Sequence, residues 1–110
     1  MQHTQRFEGG ALVIALAGDV DLEQSPKARE ILLAGLEQGI DILVEMSGVT
    51  YIDSSGVASL VEAFQLAKQK GRSFALVSVN PAALRVLQLA RLDKVFVIHE
   101  TLPESTDGAG

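Results

Sequence analysis

The feature that most restricts the fold of this chain is an alternation. Short unbroken apolar blocks are separated by segments whose apolar residues return at helical spacing. The blocks are Ala11–Ala17, Ile42–Met46, Phe74–Val77 and Val95–Ile98. Each has the length of a strand, and a strand that is apolar on both faces belongs inside a parallel sheet. Between them, Ala28, Ile31, Leu32 and Leu36 recur at steps of three and four. So do Val57, Leu60, Val61, Phe64 and Ala67, and then Ala83, Leu87 and Ala90, with Arg85 and Gln88 outward. Ser25-Pro26 offers an N-cap with proline at the first helical position, and Gly39 a stop. The residues leave open whether that helix begins at Glu23 or Ser25. Lys70-Gly71 ends the second helix with a cation and then a glycine, and Asn80-Pro81 opens the third.

Gln2–Glu8 is polar and is followed by Gly9-Gly10, so it reads as a short edge strand hairpinned onto the first block. The expected fold is therefore α/β: a single domain with a mixed, mostly parallel β-sheet, an N-terminal β-hairpin and helices packed on it. The domain is expected over 1–102, with 103–110 a polar, glycine-rich flexible tail. In such sheets function gathers beyond the carboxyl ends of the parallel strands. Gly18–Asp21, Ser47–Ser55, the loop before Asn80, and His99 are expected there.

Several kinds of chemistry are excluded by what the chain lacks. With 110 residues there is room for one core. No apolar run reaches membrane length and no secretory signal is visible, so a cytoplasmic protein without membrane insertion is expected. There are no cysteines, which removes thiol chemistry, disulfides and cysteine-ligated zinc. His3 and His99, the two histidines, stand far apart without a ligand-spaced partner, so neither metal nor cofactor is expected. A net charge of −5 with scattered basic residues argues against direct contact with nucleic acid.

One segment carries the chemistry, Asp53-Ser54-Ser55-Gly56. It lies where a strand exit becomes a helix and must supply the cap. If Asp53 caps, its carboxylate accepts from the amides of Ser55 or Gly56. Ser54 then occupies the first turn with its hydroxyl outward. A phosphate there would meet unpaired amides and the positive end of the helix dipole, and Asp53 would turn it outward. Gly56, without a side chain, would let a partner's backbone approach. Asp and Ser are also ordinary caps, just as Asp19 and Asp21 are turn formers. Glu45, inside a buried strand, needs a hydrogen-bond partner or solvent.

Gly18-Asp19-Val20-Asp21, the stretch Val49-Thr50-Tyr51-Ile52-Asp53-Ser54-Ser55-Gly56-Val57, and Asn80-Pro81 opening a helix toward Val95-Phe96 together resemble the STAS family. These are the sulfate-transporter and anti-sigma-factor-antagonist domains, and the resemblance spans nearly the whole chain. It implies an anti-sigma factor antagonist whose Ser54 is a phospho-acceptor rather than a catalytic residue. Unphosphorylated, such a protein binds an anti-sigma factor that is also a serine-protein kinase, and so frees the sigma factor. Phosphorylation releases it, and a PP2C-type, metal-dependent serine phosphatase resets it. Asp19, Asp21, Asp53, Ser55 and Gly56 become candidates for partner contact. Two departures stand out. Glu45 replaces the family's usual Asp or Asn, and Glu100–Gly110 is too short and glycine-rich for the final helix many members carry. Loss of that helix would favour weak self-association as a homodimer.

Rival readings are a cytoplasmic STAS accessory subunit of a lipid or anion transporter, or a hydrolase using Ser54, His99 and an aspartate. Against the hydrolase, no Gly-x-Ser-x-Gly elbow is present. A phosphoaspartate receiver fails on the opening hairpin and on His99-Glu100, where a lysine would be required.

Overall fold

In the computed structural model, which describes residues 1–102, β1 (Gln2–Glu8) and β2 (Ala11–Val20) form the expected antiparallel hairpin. Gly9 and Gly10 both take positive φ, 59° and 84°, as a two-residue turn matching the strand twist requires. The chain continues through α1 (Ser25–Glu37), β3 (Asp41–Ile52), α2 (Ser54–Gln69), β4 (Phe74–Val77), α3 (Pro81–Leu89) and β5 (Val97–His99). The strands lie in one sheet in chain order, with β2 to β5 parallel. The tail expected over 103–110 lies outside the described residues.

The core sits on one face of this sheet. Leu12, Ile14 and Leu16 of β2, Ile42, Val44 and Met46 of β3, and Phe74 and Leu76 of β4 point the same way. They meet Leu32 and Leu36 of α1, Leu60 and Ala63 of α2, and Leu87 of α3. Phe64 meets Phe74 and Phe96 edge to face, and those two rings are tilted against each other, with centroids 5.4 to 6.3 Å apart throughout. Among the described residues no helix is long and apolar enough to cross a membrane.

The main departure from the sequence reading concerns β2 and β3. Gly18-Asp19-Val20 does not break β2, and Ser47–Ile52 is not a loop; both stretches are strand. The ladder runs on through Ala17↔Gly48, Gly18↔Val49, Asp19↔Tyr51 and Val20↔Ile52, with irregularities at Ala15/Ala17 and Gly18/Asp19. At each irregularity β3 advances one residue more than β2. That slips the alternation of apolar positions out of phase and hides it from inspection. Val49 and Ile52 are still buried. Gly48 has a local reason: a Cβ there would stand 3.0 Å from that of Ala17.

Four smaller corrections follow from packing. Ser25 is the first residue of α1, not its cap; Gln24 holds that place without a side-chain bond, and Pro26 sits in the first turn. Ser59 and Ala63, which lie off the apolar face formed by Val57, Leu60, Val61, Phe64 and Ala67, are also buried, because α2 has α1 beside it as well as the sheet beneath. Ser59 Oγ donates to the Ser25 carbonyl at 3.1 Å across that contact. Ala90 is exposed at the C-cap of α3. Val95 and Phe96 form a turn closed by their amides on the Leu92 carbonyl, so β5 starts only at Val97.

Asn80 fixes α3 against the prolonged β3. Its Oδ1 accepts from the Ala83 amide at 2.9 Å, and its Nδ2 donates to the Val49 carbonyl. Asn80→Ala is expected to cost about 1–2 kcal/mol in urea unfolding. Asn80→Asp keeps the cap but turns an acceptor toward the Val49 carbonyl, so it should be no milder than Asn80→Ala.

Candidate partner-binding site

The extension of β2 and β3 past the rest of the sheet carries the site outward. Val77 and His99 pair at the level of Glu45. Asp53 lies eight residues further along the β3 direction, roughly 20–26 Å at about 3.3 Å per residue once the two irregularities are allowed for. The structure therefore does not bring His99 to Ser54, and the serine–histidine pair of the hydrolase reading is not assembled. Glu45 is occupied locally, accepting from the Ser47 hydroxyl at 2.8 Å and the Ser47 amide at 3.1 Å.

At the outer end Asp53 is the cap that the sequence requires. It has extended backbone (φ −110°, ψ −173°), and its Oδ1 accepts from the amides of Ser55 at 2.9 Å and Gly56 at 3.1 Å. A further bond was not legible in sequence. Oδ2 accepts from the Leu22 amide at 3.1 Å, tying the turn after β2 to the start of α2. One carboxylate thus orders both loops. It also takes the amides that a phosphate on Ser54 was expected to find free. A phosphate there would be left with the helix dipole and with Asp53 itself as a like-charged neighbour. Ser54 is exposed.

The other candidates fall around this cap. Asp19 is exposed at the end of β2, and its Oδ1 accepts from Thr50 Oγ1 at 2.7 Å. Asp21 accepts from the Gln24 amide through Oδ1, while its carbonyl accepts from the Ser25 amide, so it holds the turn into α1. Ser55 is half-buried in a shallow groove between α1 and α2, lined also by Pro26, Arg29, Ala58 and Glu62. Arg29 and Glu62 pair across its far end. Gly56 is buried, and the reason given for it in sequence does not hold. A Cβ there would lie 2.4 Å from the Val20 carbonyl oxygen, so the missing side chain lets α2 sit on the end of β2 rather than admitting a partner.

Sequence reasoning passed over two side chains. Leu22 is 73% exposed and Tyr51 54% exposed, each beside the capped turn. The signal was present: Leu22 stands between Asp21 and Glu23, and Tyr51 follows Thr50, neither on an apolar helix face. Apolar anchors rimmed by Asp19, Asp21 and Asp53 suit a protein surface with basic residues at its edge. The carboxylates do not converge on a common centre, since each is committed to its own donor. Among the described residues no group of three metal-ligating side chains occurs.

The STAS domain family model matches residues 3–105 of this chain. The anti-sigma-B factor antagonist of Bacillus subtilis is 29% identical over 85 residues, covering 77% of this chain and 78% of that protein. The anti-sigma F factor antagonist of Paenibacillus polymyxa is 28% identical over 102 residues, covering 91% and 87%. In fold, the chain is similar to an anti-sigma factor antagonist from Mycobacterium paratuberculosis, with a TM-score of 0.86 at 22% identity over 99% of this chain and 94% of that one.

Proposed function

Because the chain belongs to the STAS domain family, we propose that it is an anti-sigma factor antagonist switched by phosphorylation of Ser54. The observation that carries this reading is the capped turn. Asp53 holds the start of α2 through the Ser55 and Gly56 amides while Ser54 stays exposed on the same turn. A hydroxyl so placed can enter a kinase without disturbing the core. The phosphate then adds about −1.5 to −2 charges to a surface already carrying Asp19, Asp21 and Asp53.

Unphosphorylated, the protein binds an anti-sigma factor with serine-kinase activity through Leu22, Tyr51, Ser55 and the aspartates, and the sigma factor is freed. Phosphorylated, it is released until a PP2C-type phosphatase removes the group. It works in the cytoplasm, and its own part is binding rather than catalysis. The relatives near 30% identity are antagonists by name, which weighs against the transporter-subunit reading.

The test is intact mass of the protein isolated from its own host, with and without phosphatase treatment, beside Ser54→Ala. A single phosphoryl adduct that phosphatase removes and Ser54→Ala lacks is the expected result. An adduct that persists in Ser54→Ala, or none under any growth condition, overturns the switch.

A further inference from the structure

Among the described residues nothing covers the edge of the sheet formed by β1, which is long and regular. All seven of its residues are exposed, and they pair with β2 in unbroken register from Gln2↔Ala17 to Glu8↔Ala11. Edges are normally blunted by proline, charged side chains (lysine above all), a bulge or a covering element. β1 has no proline, lysine or bulge, its two charges, Arg6 and Glu8, are paired with each other, and it carries Phe7 at 68% exposure. In a two-residue hairpin the pair flanking the turn, here Glu8 and Ala11, exchanges both backbone bonds, and the exchange alternates from there. Arg6, Thr4 and Gln2 therefore also bond to β2, while the amides and carbonyls of His3, Gln5 and Phe7 point to the free edge.

We propose that this edge pairs antiparallel with β1 of a second copy, about a two-fold axis through Gln5, joining two five-stranded sheets into one. The alternation of backbone bonds places the axis at a residue, never between two. Only with Gln5 at the axis do all seven residues of β1 pair. The register sets Gln5 against Gln5 and His3 against Phe7 on the helix-covered side, with Arg6 against Thr4 and Glu8 against Gln2 on the other. No like charges stand directly opposite. The chain as a whole carries −5, but Arg6 and Glu8 cancel within β1 and already pair with each other, so this edge adds no net charge of its own to the repulsion between copies. Seven paired residues bury less than the roughly 1,200 Å² of stable complexes, so the dimer is weak, with a dissociation constant on the order of 0.1 mM. The edge is separated from Ser54 by β2 and β3, so pairing leaves the candidate site free.

Two measurements test this. The chain has no cysteine, so a single introduced thiol reports alone. Across the axis the Gln5 Cα atoms would stand about 5.5 Å apart, within disulfide reach. Thr4 and Arg6 would each stand about 8 Å from their own copies, beyond it. Under mild oxidation Gln5→Cys is expected to cross-link at least ten-fold faster than Thr4→Cys or Arg6→Cys. In the unmodified protein, exchange of the His3, Gln5 and Phe7 amides should slow as concentration rises from about 10 μM to 1 mM, with Thr4 and Arg6 unchanged. Sedimentation over the same range should show the dimer, and Gln5→Pro, a residue an edge strand tolerates on its open side, should abolish it. Equal cross-linking rates, or amide exchange at those three residues that ignores concentration, overturn the proposal, even if a dimer forms by another surface.

Discussion

Gly56→Ala is expected to lower folding stability by about 2–4 kcal/mol, although the residue lies inside a helix where alanine is intrinsically better by about 1 kcal/mol. The added Cβ would stand 2.4 Å from the Val20 carbonyl oxygen, 2.7 Å from Ile52 Cγ1 and 3.0 Å from Val20 Cγ1. The nearest of these is backbone of the last paired residue of β2 and cannot swing aside as a side chain could. The first turn of α2 must therefore lift, straining the Asp53 amide bond to the same carbonyl and the Leu22 bond to the Asp53 carboxylate. Gly35→Ala is the matched control. It too is helical and buried, but its Cβ would meet only the side-chain ends of Ile42, Leu12 and Ile14, at 3.1 to 3.3 Å. Those methyl groups can give by a few tenths of an ångström, so the change should stay within about 1 kcal/mol of neutral. Urea unfolding of the two variants beside the parent decides the matter. Equal midpoints would show that α2 does not rest on β2 as described. A loss in Gly56→Ala alone shows that the glycine serves packing and only indirectly the binding surface.

What could be read in the sequence, and what could not, divides along one physical line. Elements whose evidence is local were legible. The hairpin rests on adjacent glycines, the end of α2 on Lys70-Gly71, and the cap on Asp53 two and three residues ahead of the amides it accepts from. Features that depend on a distant neighbour were not. The continuation of β3 through Ser47–Ile52 needs β2 alongside, because its two irregularities break the alternation that would otherwise announce a strand. Ser59 and Ala63 are buried by α1, whose position no property of α2 reveals. Gly56 looked like an opening for a partner because the Val20 carbonyl that it accommodates is 36 residues away in the chain. The Leu22 bond to Asp53 spans 31 residues and escapes notice for the same reason. For the candidate site the sequence supplied the residues around Ser54. The structure supplied the order among them: Asp53 holds the frame, Asp21 and Gly56 shape it, and Asp19, Leu22, Tyr51, Ser54 and Ser55 face outward or border it.

Ser54→Asp is expected to weaken binding to the anti-sigma partner on the order of 100-fold, while Ser54→Ala stays within about three-fold of the parent. The charge would be added where Asp53 already lies next in sequence and Asp19 and Asp21 rim the same end of the sheet. A partner suited to that rim by basic residues gains little from one more charge at the edge. At the centre, however, Ser54 must be desolvated on docking, and an unpaired carboxylate there costs about 2–3 kcal/mol. The fold itself should not object. An acidic residue in the first turn of α2 faces the positive end of the helix and should stabilise it by about 0.3–1 kcal/mol. Lost binding with stability kept or raised would therefore be an effect on the interface, and urea unfolding run beside the affinity measurement separates the two. Ser54→Asn divides the cause further, having the size of aspartate without its charge. If Asn binds like the parent and Asp regains affinity as salt rises from 0.05 to 0.5 M, charge repulsion is the switch. If Asn fails as badly as Asp and salt changes neither, the interface closes so tightly on Ser54 that bulk alone opens it. If Asp binds as well as the parent, Ser54 lies outside the interface and the proposed switch is lost with it.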